Sequence, residues 1–226
     1  MVISKIRVMF FSAIFLFLSF DASALVSLSP KSNAQIAQFF GLKSAQHFTL
    51  LNLYAYQQQF DYTCGPAAVM SLLHYYGKLS DKEMTKATEL RIAQEMGTTT
   101  ELGTSPQQMA AWLSQHGFTV KSGRDGNLVM LRDNLSKNIP TLVEWIDWGG
   151  HWVLVAGYNA VGKTPEEDKD TIIFADPSAK DDNEKTTNGL VAFNPDRFVS
   201  MWFDAQYFEP GHVVKGVYIT AVPSKE

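Results

Sequence analysis

The sequence predicts an α+β fold, with helices in the first half and strands in the second. Three observations carry this. From Gly65 to Lys137 apolar residues recur at helical spacing, between Ser, Pro and Gly residues that open and close helices. From Pro140 onward they gather into β-branched and aromatic runs bounded by Gly, Pro, Asn and Asp. The 226 residues are 46% hydrophobic and 19% charged, enough for one sizeable core, and no internal repeat or long linker divides them. The helical and sheet halves are expected to pack face to face in a single domain, residues 25–226.

Residues 1–24 stand apart. Lys5 and Arg7 precede an apolar stretch from Val8 to Phe20, and Ala22-Ser23-Ala24 supplies a small-x-small site. This predicts a secretory signal peptide cleaved after Ala24. The apolar run is short of the roughly 20 residues a spanning helix needs, so no stable membrane insertion is expected after cleavage. Ser32 to Phe40 could form a short amphipathic helix, and residues 48–55 read as extended chain. A buried helix is expected over Gly65–Tyr76, with Pro66 at its first position and Gly77 closing it. Ser80-Asp81-Lys82-Glu83 is a capping box that should open a second helix to about Glu95. After the polar loop Gly97–Thr104, Ser105-Pro106-Gln107-Gln108 opens a third, ended by Gly117. Phe118–Val120 is a short strand, and Leu128–Lys137 a fourth helix with Leu128, Leu131 and Leu135 on one face. Strands are expected over Pro140–Trp145, His151–Tyr158, Thr171–Ala175, Gly189–Phe193 and Val213–Val222. Asn194-Pro195 opens a short helix, Asp196–Phe203. The charged insert Thr164–Asp170 reads as an exposed hairpin loop.

Net charge is −4 and the pI about 5.7, with no basic run to track phosphates, so nucleic acid is not an expected partner. No His/Cys cluster has metal-ligand spacing, and Asp181-Asp182-Asn183-Glu184 reads as a solvated turn, so neither a metal nor another cofactor is expected.

The chemistry is expected around the single cysteine, Cys64. A lone Cys in an apolar helix is usually a small buried hydrophobe. Cys64, however, sits at a helix N-terminus, where unpaired N–H groups and the helix dipole favour the reactive thiolate. In an exported chain a single thiol has no partner for an internal disulfide. Gln58, six residues upstream, carries a neutral amide able to donate to an oxyanion beside the sulfur.

A thiol nucleophile needs a base and a group to orient it. Of the five histidines, His47, His74, His116 and His212 fit loop or helix-surface roles. His151 follows Gly149-Gly150 and begins an apolar strand. Asp176 ends the next strand, so an antiparallel hairpin would make the two cross-strand neighbours. Asp176 before Pro177 also suits a plain Asx-turn, and the pairing with His151 is what singles it out. Cys64 would attack a carbonyl, His151 would exchange protons with the thiol and the leaving amine, and Asp176 would fix the ring. Gln58 and the Cys64 backbone N–H would hold the oxyanion. Trp145, Trp148, Trp152 and Trp202 either line the cleft or fill the core.

These segments (Gln58 with Asp61-Tyr62-Thr63-Cys64-Gly65-Pro66-Ala67-Ala68, then Gly150-His151-Trp152-Val153-Leu154-Val155, then Ala175-Asp176-Pro177-Ser178) resemble the C39 peptidase family. The similarity covers about residues 50–205. These are papain-like cysteine peptidases known as leader-processing domains of bacteriocin exporters. The resemblance implies a papain-like α+β fold and cleavage of leader peptides after a small, often Gly-Gly, pair. It carries Cys64, His151, Asp176 and Gln58 over as the site. Familiar members are cytoplasmic domains fused to a transporter, whereas here a signal peptide precedes the matching stretch. This points to a peptide or protein substrate that is itself exported. The gap of 25 residues from His151 to Asp176 is longer than expected for the family. Two other readings stay open: acyl or γ-glutamyl transfer by the same nucleophile, as in phytochelatin-synthase-like relatives of this fold, and a non-catalytic peptide-binding module.

Overall fold

A computed structural model describes residues 38, 40, 47–146, 149–160, 170–179, 188–204 and 213–225. The signal segment, most of the Ser32–Phe40 stretch, Trp148, His212, the acidic turn 181–184 and the insert up to residue 169 lie outside the described residues.

The helical half begins with α1, Cys64–Tyr75. Its residues from Cys64 to Leu73 are all buried, as its nearly all-round apolar sequence requires. Pro66 takes the third helical position rather than the first. Proline is tolerated there because the N–H groups of a first turn have no intrahelical partner; the first such bond runs from the Ala67 N–H to the Thr63 carbonyl.

The Ser80 capping box does not open the long helix expected of it. It closes a single 3-10 turn, Asp81–Glu83, and the helix proper, α2, spans Lys86–Met96 with Thr85 as its cap. The Thr85 hydroxyl accepts from the Thr88 N–H, which resets the start. Helix α3, Pro106–Gln115, carries the expected Ser105–Gln108 capping box, and α4, Leu128–Ser136, is capped by Asn127. Helix α5 is Pro195–Met201, with the Asn194 side chain accepting from Arg197 N–H.

The strands are β1 (His47–Leu50), β2 (Phe118–Gly123), β3 (Thr141–Ile146), β4 (Gly150–Ala160), β5 (Thr171–Ala175), β6 (Leu190–Phe193), β7 (Phe203–Asp204), β8 (Val214–Lys215) and β9 (Tyr218–Pro223). The run expected over Val213–Val222 is two strands, because the chain turns at Gly216, which lies at φ 66°. Seven strands form one antiparallel sheet in the order β2-β9-β3-β4-β5-β6, with β1 added alongside β4. Strand β4 is long enough to serve both: its residues 150–155 pair with β3 and residues 157–160 with β1.

Helix α1 packs on β4 and is backed by α2. The core between them holds Met70 and Leu72, and it continues into an aromatic group in which Trp145, Phe174 and Phe198 pack at a tilt, with ring separations of 4.9–6.0 Å. This is the predicted α+β arrangement, with the cysteine helix laid across the centre of the sheet. Asp170 departs from its expected place in an exposed loop. It is buried and accepts a hydrogen bond from the Tyr158 hydroxyl at 3.0 Å.

Candidate active site

Packing α1 on β4 brings the helix N-terminus to the start of the strand, where His151 stands. The ladder between β4 and β5 ends at Leu154↔Ala175 and holds a bulge between Val155 and Gly157. Extending it by one residue sets Asp176 opposite Val153. His151 and Asp176 are therefore diagonal neighbours on one face rather than the directly paired residues expected from the hairpin. The side chains still meet, with His151 Nε2 2.8 Å from Asp176 Oδ1 and each 13% exposed.

With Nε2 held by the carboxylate, Nδ1 is the ring nitrogen left for the sulfur, and His151 is a hydrogen-bond partner of Cys64. Burial pushes the Cys64 thiol up. The hydrogen bond and charge of His151, with the backbone N–H groups of Trp152 and Gly65, outweigh it and hold the thiol below its ordinary value. Burial likewise presses the His151 imidazole down, and the bonds to Asp176 and Cys64 overcome it, so the ring is held well above its ordinary value. Both directions favour a thiolate–imidazolium pair.

Asp176 is itself positioned from three sides. Its N–H donates to the Gly189 carbonyl at 3.1 Å, its carbonyl accepts from Gln57 Nε2 at 2.9 Å, and its Oδ1 also takes the Ser178 N–H at 2.8 Å. Gly189 lies at φ 72°, and a Cβ there would come within 2.4 Å of Gln57 Nε2, so only glycine lets the two loops approach.

Gln58 lies at the junction of the same loops. Its N–H donates to Pro177 carbonyl at 2.9 Å, its Oε1 accepts from the Ser178 hydroxyl at 3.0 Å, and its Nε2 donates to the Phe60 carbonyl at 2.8 Å. One N–H of that amide remains, and the oxyanion role expected of Gln58 rests on it. The Cys64 N–H has no intrahelical partner, being in the first turn.

A cleft of about 420 Å³ opens beside the sulfur, lined by Asp61 and Tyr62, by 100–104, by Gly149 and Gly150, and by Cys64, Glu144 and Trp152. The three described tryptophans of that group divide. Trp152 lines the cleft and donates its indole N–H to the Thr104 carbonyl at 2.9 Å, whereas Trp145 and Trp202 are core. Gly65 fits against the same wall: a Cβ there would lie 2.8 Å from Thr104 Oγ1 and 3.1 Å from the Met109 methyl. Gly65→Ala is thus expected to lower stability by about 1–3 kcal/mol, read from a urea midpoint, and to slow alkylation of the adjacent sulfur.

Two parts of the site were not foreseen from sequence. Glu89, fully buried on α2, accepts from Tyr56 hydroxyl at 3.1 Å, from Gln59 N–H at 3.0 Å and from the Thr63 hydroxyl. Its signal is position: it shares the buried stripe of Ile92, Ala93 and Met96. Glu144, 1% exposed on β3, hydrogen-bonds Asp204 of β7. Burial first, then the neighbouring Asp204 charge, pushes it up to about 10, so it is protonated near neutrality. Its signal is a carboxyl inside the apolar run Thr141–Ile146. Of the remaining histidines, His74 pairs with Asp81 at 2.8 Å and His116 stacks on Trp112, both away from the cleft.

The family model described as Peptidase_C39 like family matches residues 51–202, two thirds of the chain. The chain belongs to this family. It is a C39-like cysteine peptidase, and the matched span contains Gln58, Cys64, His151 and Asp176. No curated protein matches the sequence. Among solved structures, the peptidase domain of Streptococcus ComA, a bi-functional ABC transporter of a quorum-sensing pathway, is similar at 19% identity and TM-score 0.52, over 76% of this chain and 98% of that one. A C39-like peptidase from Bacillus anthracis is similar at 12% identity and TM-score 0.50, over 79% of this chain and 99% of that one. These likenesses establish that the C39-like chain has the papain-like α+β fold predicted for it.

Proposed function

We propose that this C39-like peptidase is exported and cleaves a peptide bond in a leader or segment of another exported protein, with small residues such as Gly at the scissile position. Cys64, His151 and Asp176 act as nucleophile, base and orienting carboxylate. The observation that carries the reading is the continuous chain of contacts from the Cys64 sulfur through His151 to Asp176 at the mouth of a cleft. Export is supported by the pattern of residues 1–24.

In the first half-reaction the thiolate attacks the carbonyl carbon. The oxyanion that forms takes hydrogen bonds from the Cys64 N–H and the remaining Gln58 amide N–H. His151 gives its proton to the departing amine as the C–N bond breaks, leaving a thioester. In the second half-reaction His151 takes a proton from water, whose oxygen attacks the thioester. The carboxylate product leaves, and the thiolate–imidazolium pair returns.

The test is to incubate the protein and its Cys64→Ala form with exported proteins of the source organism and compare new N-termini. Cleavages present only with Cys64 are expected. An identical set from both forms would sink the reading, and an added amine incorporated at the new C-terminus would make the protein a transferase.

A further inference from the structure

The chemistry above leaves Glu144 unused, although it lies in the cleft beside Cys64. Its carboxyl hydrogen-bonds Asp204, but its buried Oε2 has no hydrogen-bond partner among the described residues. An unmet acceptor of this kind costs stability unless something in the bound state satisfies it. The charged residues that line the cleft's rim are both acidic. Asp61 and Glu101 stand exposed at its rim, and among the described residues no lysine or arginine lines it. The thiolate and the imidazolium largely cancel one another, so the sign of the cleft is set by the rim carboxylates of Asp61 and Glu101. Tyr62 and Trp152 supply apolar wall between the rim and the floor.

We propose that the cleft holds a subsite for a cationic side chain, a lysine or arginine of the substrate beside the scissile bond, with Glu144 at its floor and Asp61 and Glu101 at its rim. Such a side chain lays its methylenes along the aromatic wall and carries its charge to the unmet acceptor. The rim carboxylates repel an acidic residue at that position, so the subsite excludes as well as selects. In calling the ligand part of a substrate, the inference rests on the peptidase reading. Its charge preference does not.

Cys64 is the chain's single cysteine, which makes it a reporter at the site itself. The probes are two methanethiosulfonates of similar size, one bearing a trimethylammonium group and one a sulfonate. Each rate constant with the purified protein is divided by that with free cysteine. The normalised ratio is expected to favour the cation by about tenfold or more. It should fall several-fold in Asp61→Asn combined with Glu101→Gln, where exposed side chains are exchanged for neutral isosteres. A second measurement uses peptides of one sequence differing only in Lys or Glu flanking the scissile bond, competing for alkylation of Cys64. The Lys peptide should protect and the Glu peptide should not. A normalised ratio near one, a ratio unmoved in the double variant, or equal protection by both peptides overturns the subsite. If no exported protein is cleaved, the peptidase reading fails while the reagent ratio still judges the subsite. Cleavage without any cation preference removes the subsite and leaves the peptidase.

Discussion

Replacing His151 by alanine is expected to move the pH midpoint of Cys64 alkylation from below the ordinary thiol value to above it. The two positions follow from one balance. Burial is the largest influence and raises the thiol, while the hydrogen bond and charge of His151, helped by the Trp152 and Gly65 N–H groups, reverse it. Without the ring, two backbone donors face the full cost of a buried thiolate. At pH 6 the thiolate fraction should fall by roughly 10³, given that Cys–His pairing lowers a thiol by several pH units. The rate with iodoacetamide falls less, by about 10- to 100-fold, because the more basic thiolate is the better nucleophile. Peptide cleavage loses its proton donor as well and should drop by about 10³-fold or more. An alkylation profile unchanged in the variant would separate the two side chains functionally.

The same balance fixes the shape of the native pH profile. The thiol's folded value is lowered, so the thiolate persists as pH falls until that value is reached. The imidazole's is raised to about 10, so its proton persists as pH rises toward that value. Activity should therefore be flat across neutrality, with limbs that belong to the coupled pair. Asp176→Asn removes a charge that supports the imidazolium and should draw the alkaline limb inward.

The elements legible in the sequence are those set by local chemistry. Ser105 with Gln108, and Asn194, each cap the helix they were expected to open, because a cap is a contact between residues two or three apart. Cys64, His151 and Asp176 could be singled out because each sits at an element end, and ends are readable. What escaped depends on contacts far apart in the chain. The bulge at Val155/Gly157 shifts the β4–β5 register by one residue: without it Asp176 would fall opposite Leu154, on the other face from His151, and with it the two become diagonal neighbours on one face, not the direct pair expected. Ser80 met every local rule for opening α2, yet the helix starts at Lys86, after Thr85. Glu144 reads as an anomaly in an apolar strand, but its partner Asp204 is 60 residues on and identifiable only once β7 is placed against β3.

Glu89→Ala is expected to be the most destabilising single change near the site, by about 4 kcal/mol, because one buried carboxylate gathers donors from both ends of the segment leading to Cys64. The Tyr56 hydroxyl, the Gln59 N–H and the Thr63 hydroxyl all point to it. Truncation leaves these donors unmet where water is scarce, at about 1–3 kcal/mol for each that finds no substitute. Against a typical total of about 5–15 kcal/mol, that is a large share, and a urea titration would show it directly. Glu89→Gln keeps the shape but exchanges one acceptor oxygen for an NH₂ that faces a donor, so roughly half the loss should remain. The clamp also has a chemical consequence that a purely structural role lacks. Thr63 immediately precedes α1, and its hydroxyl is held by Glu89 instead of capping the helix. Released, it can turn inward and cap, shifting the first-turn N–H groups that stabilise the thiolate. In the folded fraction of either variant the alkylation midpoint of Cys64 should therefore rise toward the ordinary thiol value. A midpoint equal to the native one, alongside the lost stability, would reduce Glu89 to a strut for the fold and leave the tuning of the sulfur to His151 and the backbone N–H groups.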